Sequence, residues 1–339
     1  MLCSWSARSS KKRCRRSMVP MCSARRPIIT TKNRNMAISC SRNCSAASRK
    51  FTSTSYGASE ADLAQVAWKN YAHAKLNPLA QMRDADLTLD CASQVSDKNP
   101  SVAPPLKVSD CSQITDGAAS VVLVSGKYLE KIGRDKNKTA RLRWLRSHRP
   151  IICRSTRKMR LTFSTARKAA MKAFGMANLK PRDVQGAEVH DCFSITEIVA
   201  YEILGLAESG KGVELVKSGA TALPQVRNQK SGKLPFEIPV NTGGGLIADG
   251  HPVGATGVRQ VFDAYQQLTE QAGARQIENV KKFLTFNMGG SLTTSVAMVW
   301  GRDKRHGESS VHTGRGWSFW ISGARSGRKA RNGSSALWG

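Results

Sequence analysis

The sequence has no C-x-x-C pair, no long apolar run and, through its first fifty residues, no acidic side chain. Each absence excludes something. Cys40 and Cys44 form a lone close pair with no matching Cys or His pair downstream, which argues against structural zinc. The longest apolar run, around Val121 to Val124, is far too short to cross a bilayer. No secretory apolar segment is present, so a reducing compartment and reduced cysteines are expected.

The shortage of acid is local. Residues 1–50 hold 13 Lys/Arg and no Asp/Glu, 138–160 hold 9 and none, and 302–339 hold 8 against Asp303 and Glu308. Nearly all of the formal net charge of +29 therefore sits in these three stretches, and the remainder sums to +1. They also contain five of the seven tryptophans and six of the nine cysteines. None shows a sustained apolar period, so none offers a face to bury, and a segment without one cannot offset its ordering entropy. Disorder is the expectation for them. Arg, Ser, Trp and Cys mixed without pattern is the composition of an unselected reading frame, and an out-of-frame or misjoined origin is expected.

Basic arms for nucleic acid or a membrane surface are the rival reading, since Lys/Arg can meet phosphate and aromatics can meet bases. No recognisable binding module accompanies them, so no nucleic-acid partner is expected. The Arg- and Ser-rich, acid-free start also has the composition of a mitochondrial transit peptide, although its basic runs are not spaced along an amphipathic helix; a mitochondrial or peroxisome-like organelle is the expected location.

Between these stretches the pattern alternates α and β. Residues 58–77 read as a helix, and Val108 to Val124 runs through Asp116-Gly117 into a valine run typical of a buried strand. Ser164 is placed to cap a helix over about 165–174, with Ala166, Ala169, Ala170 and Phe174 on one side. A short strand, 187–190, leads into Ser194-x-x-Glu197, a capping-box pattern that opens a second helix. A third helix starts near Val258 with Val261, Phe262, Tyr265 and Leu268 on one stripe. The final segment, 283–300, reads as two strands joined by a loop at Asn287 to Ser291.

Three loops carry candidate chemistry. His190-Asp191-Cys192-Phe193 lies where a strand meets a helix N-terminus, a place where a thiolate is favoured. Asn241 to Gly257, "NTGGGLIADGHPVGATG", sets His251 between Gly250 and Pro252, suited to a general base toward a thiol. Glycines here and in "NMGGS" let backbone N–H groups approach a ligand. Taken singly, a histidine in a glycine-rich turn is more often a satisfied surface residue, and a lone cysteine buried filler.

Taken together, "VHDCFSI", "NTGGGLIADGHPVGATG" and "NMGGS" resemble the thiolases, and within them the sterol carrier protein thiolase and thiolase-like branch with the HDCF motif. The resemblance covers about 56–137 and 162–301. It implies an α/β protein of the thiolase fold, layered αβαβα from two βαβαβαββ halves, with the C-terminal half largely complete and the N-terminal half truncated. The implied organisation is a basic leader over 1–55 and a remnant of the loop domain and N-terminal half over 56–137. A basic interruption, 138–161, replaces the stretch that should open the C-terminal domain. That domain then runs over 162–301, and a basic tail fills 302–339.

The resemblance implies acyl transfer on acyl-CoA thioesters, as 3-ketoacyl-CoA thiolysis or Claisen condensation, with coenzyme A as substrate or product and no other cofactor or metal. His251 would activate the nucleophilic cysteine, His190 would form an oxyanion hole through a bound water, and Cys192 would move the proton at C2 of the acyl group. Gly250, Gly254, Asn287, Gly289 and Gly290 would bind the substrate, with the N–H groups of Gly289 and Gly290 facing the thioester. The family implies a homodimer or tetramer. The nucleophilic cysteine, expected upstream on a strand-to-helix turn, has no recognisable counterpart. Cys44 in "RNCSAAS" is a superficial look-alike, so a non-catalytic CoA-thioester binder or partner subunit is the alternative.

Overall fold

The computed structural model describes residues 58–113, 115–125, 128, 131–133, 140–148, 163–227, 234, 236–289, 294–302 and 319–322. The basic leader, most of the basic tail, Cys44 and Gly290 lie outside the described residues.

The first helix, α1 (Glu60–Lys75), starts where Ser59 and Asp62 exchange hydrogen bonds in a capping box. A short helix, α2 (Leu89–Ser93), and a two-stranded ribbon, β1 (Ser101–Ala103) with β2 (Leu106–Lys107), follow. The strand read within Val108 to Val124 is only β3 (Val122–Ser125), and it is not buried: Val122 and Leu123 are 41% and 38% exposed. It pairs with one neighbour, a strand of the basic tail, as the outermost strand of its sheet.

A strand lies within the expected interruption, whose other residues fall outside the described ones. β4 (Ala140–His148) pairs antiparallel along a strand close to the chain's end, although its sequence has no apolar period. Ladder hydrogen bonds come from the main chain, so pairing does not require that period. Then come α3 (Ser164–Ala177), β5 (Gly186–Val189), α4 (Ser194–Ile203), α5 (Gly212–Lys217), α6 (Gly245–Ala248), α7 (Thr256–Leu268), β6 (Lys282–Gly289), β7 (Thr294–Gly301) and β8 (Phe319–Ser322). The sheet order is β3-β8-β4-β7-β6-β5, and Val240 bridges Ala187 in parallel beyond β5. Counting that bridge as a strand, the run from β4 to β7 is the expected βαβαβαββ.

Local details differ from the sequence reading. α3 starts after Phe163 in the left-handed region, without a side-chain cap from Ser164. The capping box at α4 is closed by Thr196, which bonds Phe193 at both its N–H and its carbonyl. Ser194 instead donates to Asp110, and Glu197 is drawn into the core by Lys69. Asn287, Met288 and Gly289, read as loop, belong instead to β6, paired with Val296, Ser295 and Thr294.

Alternation along the strands separates two faces. Ala187, Val189, Leu284, Phe286 and Met288 join α3 and α4 in one core, where Ala166, Ala170, Phe174 and Ile198 are buried. Phe283 and Trp300 join Val261, Ala264, Tyr265 and Leu268 of α7 on the other side. The sheet is therefore covered by helices on both faces, as a thiolase half requires. Among the described residues no helix is long and apolar enough to cross a membrane.

His73 fastens α1 to this core. The backbone N–H of Leu223 donates to its Nε2 at 3.0 Å, so its Nδ1 carries the proton toward the carbonyl of Asn241 at 3.0 Å. Burial first, then Lys69, pushes its pKa down from 6.5 to about 3. Because the folded value lies below the unfolded one, unfolding takes up a proton between them. The contribution is complete above pH 6.5 and is lost as pH falls toward about 3. Buried Glu188 and Asp249, with raised values, act with the opposite sign and cancel in a comparison of variants. Between about pH 4 and 6, the stability of His73→Gln should fall less steeply than wild type, by about 1.4 kcal/mol per pH unit. Urea midpoints across that range check this, and parallel slopes would refute it.

Candidate functional site

The strand register builds the site. Val189 lies beside Phe286 in the parallel β5–β6 pair, so the next residue on each strand, His190 and Asn287, become neighbours on the α7 face. His190 Nδ1 and Asn287 Oδ1 are 2.6 Å apart. Asn287 Nδ2 donates to Gln260 Oε1 of α7 at 3.0 Å.

His251 reaches the same place from the other side. Its ring centroid lies 5.2 Å from that of His190 with the planes at 87°, an edge-to-face pair. The Thr256 hydroxyl donates to the carbonyl of Pro252 at 3.1 Å, so it accepts from His251 Nδ1–H at 2.8 Å. The basic nitrogen of His251 is then Nε2. Its backbone N–H donates to Thr115 Oγ1 at 2.9 Å, and Thr115 donates to Gln81 at 2.5 Å. Gly250 has φ +129 at this point, and a Cβ there would lie 3.0 Å from Thr115 Oγ1, so the approach requires glycine.

Both imidazoles are neutral at pH 7. Burial pushes His190 down to about 4, partly offset by Asn287, with Arg259 adding to the lowering. Burial, then His190 and Arg259, pushes His251 to about 3. Arg259 belongs to a buried ionic chain, Asp249–Arg259–Asp263–Arg275, whose side chains are all at most 3% exposed. This chain fastens the residue two before His251 to α7. Asp249 is held from the turn after α1 as well, through Asn77 Nδ2 at 3.2 Å.

The HDCF turn is held from behind. Asp191 is fully buried and accepts from the backbone N–H of Leu246 at 2.7 Å and from Asn70 Nδ2 at 2.9 Å. Burial, then Glu197, holds its carboxyl well above the usual carboxylate range. Glu197 accepts from Lys69, Tyr201, Asn70 at 2.7 Å and Asn241 at 2.8 Å. Cys192, half-buried, has its sulfur 3.9 Å from Thr196 Oγ1, and its carbonyl accepts from Ser112 N–H at 3.0 Å.

Of the expected site residues, His190, His251, Asn287 and Gly250 come together, and Cys192 lies two residues from His190 on the same turn. Gly254 and Gly289 are solvent-exposed. Thr256, Gln260, Thr115, Arg259 and the Lys69–Asn70–Glu197–Asn241 network escaped sequence reasoning. Only Thr256 had a signal, a hydroxyl five residues after His251 in the first turn of a helix. Among the described residues no group of His, Cys, Asp or Glu is arranged to hold a metal.

Residues 153–302 match the family model of the thiolase C-terminal domain-like proteins. An acetyl-CoA acetyltransferase of Methanothermobacter thermautotrophicus is 36% identical over 248 residues, 73% of this chain and 60% of that protein. Human sterol carrier protein 2 is 32% identical over 239 residues, 69% of this chain and 40% of the human protein. The chain thus spans roughly half the length of these curated relatives. The solved structure of an Ltp2-ChsH2(DUF35) aldolase superposes with a TM-score of 0.64 at 19% identity, covering 78% of this chain and 64% of that one. The family match runs through β5, α4, the glycine-rich loop, α7, β6 and β7, the elements that bring His190 and His251 together, so this chain carries a C-terminal domain of the thiolase family.

Proposed function

We propose that this chain holds the acid–base half of a thiolase-type acyltransferase site for acyl-CoA thioesters. The observation that carries the reading is the pair of neutral imidazoles, His190 and His251, set 5.2 Å apart by two motifs distant in sequence. His251 presents its bare Nε2 as the acceptor for a thiol proton, and burial, which holds its pKa down to about 3, weakens it as a base there. His190 would hold a water at the thioester oxygen, and Cys192 would carry the proton at C2 of the acyl group. The 3-ketoacyl-CoA thiolysis and Claisen directions share these groups.

The two-step transfer needs a second cysteine as nucleophile. Among the described residues, Cys91 lies in α2 and Cys111 is buried opposite Phe193, so neither sits on a strand-to-helix turn. C2–H exchange needs no nucleophile. A thiolate at Cys192 takes the C2 proton, the electron pair delocalises into the thioester as an enolate, and a solvent-derived proton returns to C2. Acetyl-CoA incubated with the protein in D2O should lose its C2–H signal faster than in buffer. Cys192→Ala should slow this exchange by about 10²-fold or more. Thiolysis of acetoacetyl-CoA by coenzyme A should be absent, and turnover abolished by His251→Ala would instead establish full acyl transfer. Binding of acetyl-CoA without exchange would favour the non-catalytic reading, and neither binding nor exchange would overturn both.

A further inference from the structure

Gln260 lies in α7 on the side that faces the sheet and is 1% exposed. Its Oε1 accepts from Asn287 Nδ2 at 3.0 Å, while its own Nε2 is buried without a hydrogen-bond partner. An unpaired buried N–H is unfavourable, and a leucine would fill the same space without it. Stability therefore does not account for a glutamine here. Its one directed contact does. With the Asn287 amino group turned to Gln260, the Asn287 carbonyl is the end that faces His190 Nδ1 at 2.6 Å. A carbonyl oxygen only accepts, so the ring proton of a neutral His190 sits on Nδ1, and Nε2 is left with its lone pair.

We propose that Gln260 is a positioning residue that orients Asn287 and so fixes His190 as a hydrogen-bond acceptor. The group that His190 takes is then an O–H donor, a water or a substrate hydroxyl, and not the thioester oxygen itself. This deepens the acyl-CoA reading and rests on it for the identity of the ligand. The orientation of Asn287 by Gln260 stands independently of that ligand. An imidazole Nε2 that accepts from a water leaves the second hydrogen of that water for a developing oxyanion. His190 therefore acts at one remove, while His251, held by Thr256 in the same tautomer, keeps the second bare Nε2 for proton removal.

Two-bond proton–nitrogen NMR on the full chain, labelled with 15N-histidine, reads the tautomer of each ring directly. The chain has six histidines, and His190→Gln assigns the relevant signal. In wild type near pH 7, His190 should show a protonated Nδ1 and a bare Nε2. In Gln260→Leu the Asn287 amide is free to turn, and the minor, Nε2-protonated form should rise on the order of tenfold, the loss of one hydrogen bond. Asn287→Asp in the Gln260→Leu background should restore Nδ1 protonation, because a carboxylate accepts in either orientation. A wild-type His190 protonated on Nε2 would overturn the proposal, and so would a tautomer unchanged by Gln260→Leu. If Gln260→Leu fails to fold, the wild-type spectrum alone retains that power. Adding acetyl-CoA to the wild-type sample separates the two readings: an unmoved His190 signal would sink the acyl-CoA site and leave the positioning of His190 intact.

Discussion

Replacing Lys69 by methionine is expected to cost about 3–5 kcal/mol of stability, the range for leaving one partner of a buried ion pair alone. Lys69 and Glu197 are both buried, and the Lys69 ammonium also donates to the carbonyl of Val240 at 3.1 Å. Glu197 would keep its donors from Tyr201, Asn70 and Asn241, but those are neutral and do not balance its charge. Methionine fills the space of the lysine stem, so the loss is electrostatic and not a cavity effect. Adding Glu197→Gln should recover a large part of it, since the charge is then gone. Urea unfolding of the two single variants and the double variant gives the coupling directly. A cost below about 1 kcal/mol would mean that Glu197 is satisfied without its cation.

The effect should extend beyond stability. Asn241 donates to Glu197 with its amide and accepts the backbone N–H of Val189 with its carbonyl at 2.8 Å. Asn70 bridges Glu197 and Asp191. The network thus joins α1, the end of β5, the first turn of α4 and the glycine-rich loop at one buried point. His190 follows directly on Val189, so a shift of this point moves the imidazole that the site depends on.

Periodicity made α1, α3 and α7 legible in the sequence: α3 and α7 each bury a stripe against the sheet, with Val261, Tyr265 and Leu268 of α7 where a 3.6-residue repeat places them, while α1 packs on other helices, α6 among them. The HDCF and GHP motifs likewise pointed to His190 and His251. Where reading failed, a distant partner overrode a local rule. Ser194 and Glu197 have the spacing of a capping box, but Asp110 and Lys69 take their side chains, and Thr196 closes the turn instead. Gln260 and Asn287 meet only because β5, β6 and α7 are stacked in a particular register, which no spacing along the chain encodes. β4 went unseen because its pairing uses main-chain groups, on which side-chain pattern is silent.

The second large effect concerns the junction of the two motif loops. Gly245 to valine is expected to cost several kcal/mol and to separate the HDCF turn from the loop that carries His251. Gly245 sits at φ +63, a conformation that a β-branched residue adopts only with strain. A Cβ at this position would lie 2.1 Å from Asp191 Oδ2, and a contact that short forces backbone or carboxylate to move. The carboxylate has nowhere to go at low cost: it is fully buried and holds the backbone N–H of Leu246 and the amide of Asn70. If it moves, those donors are left unsatisfied. If the backbone moves instead, α6 shifts, and with it Asp249 and the loop into Gly250 and His251. Gly245→Ala meets the same clash, so it should lose stability too, by a smaller amount because alanine is not branched. Asp191→Gly should partly relieve Gly245→Ala by removing the clashing carboxyl, whereas a purely conformational cost at φ +63 would be unaffected by that change. Urea unfolding of the single and double variants separates the two contributions. The separation of the loops is read independently from the histidine NMR spectrum, where the signals of His190 and His251 should move together in Gly245→Val and hold their places if the loops stay joined.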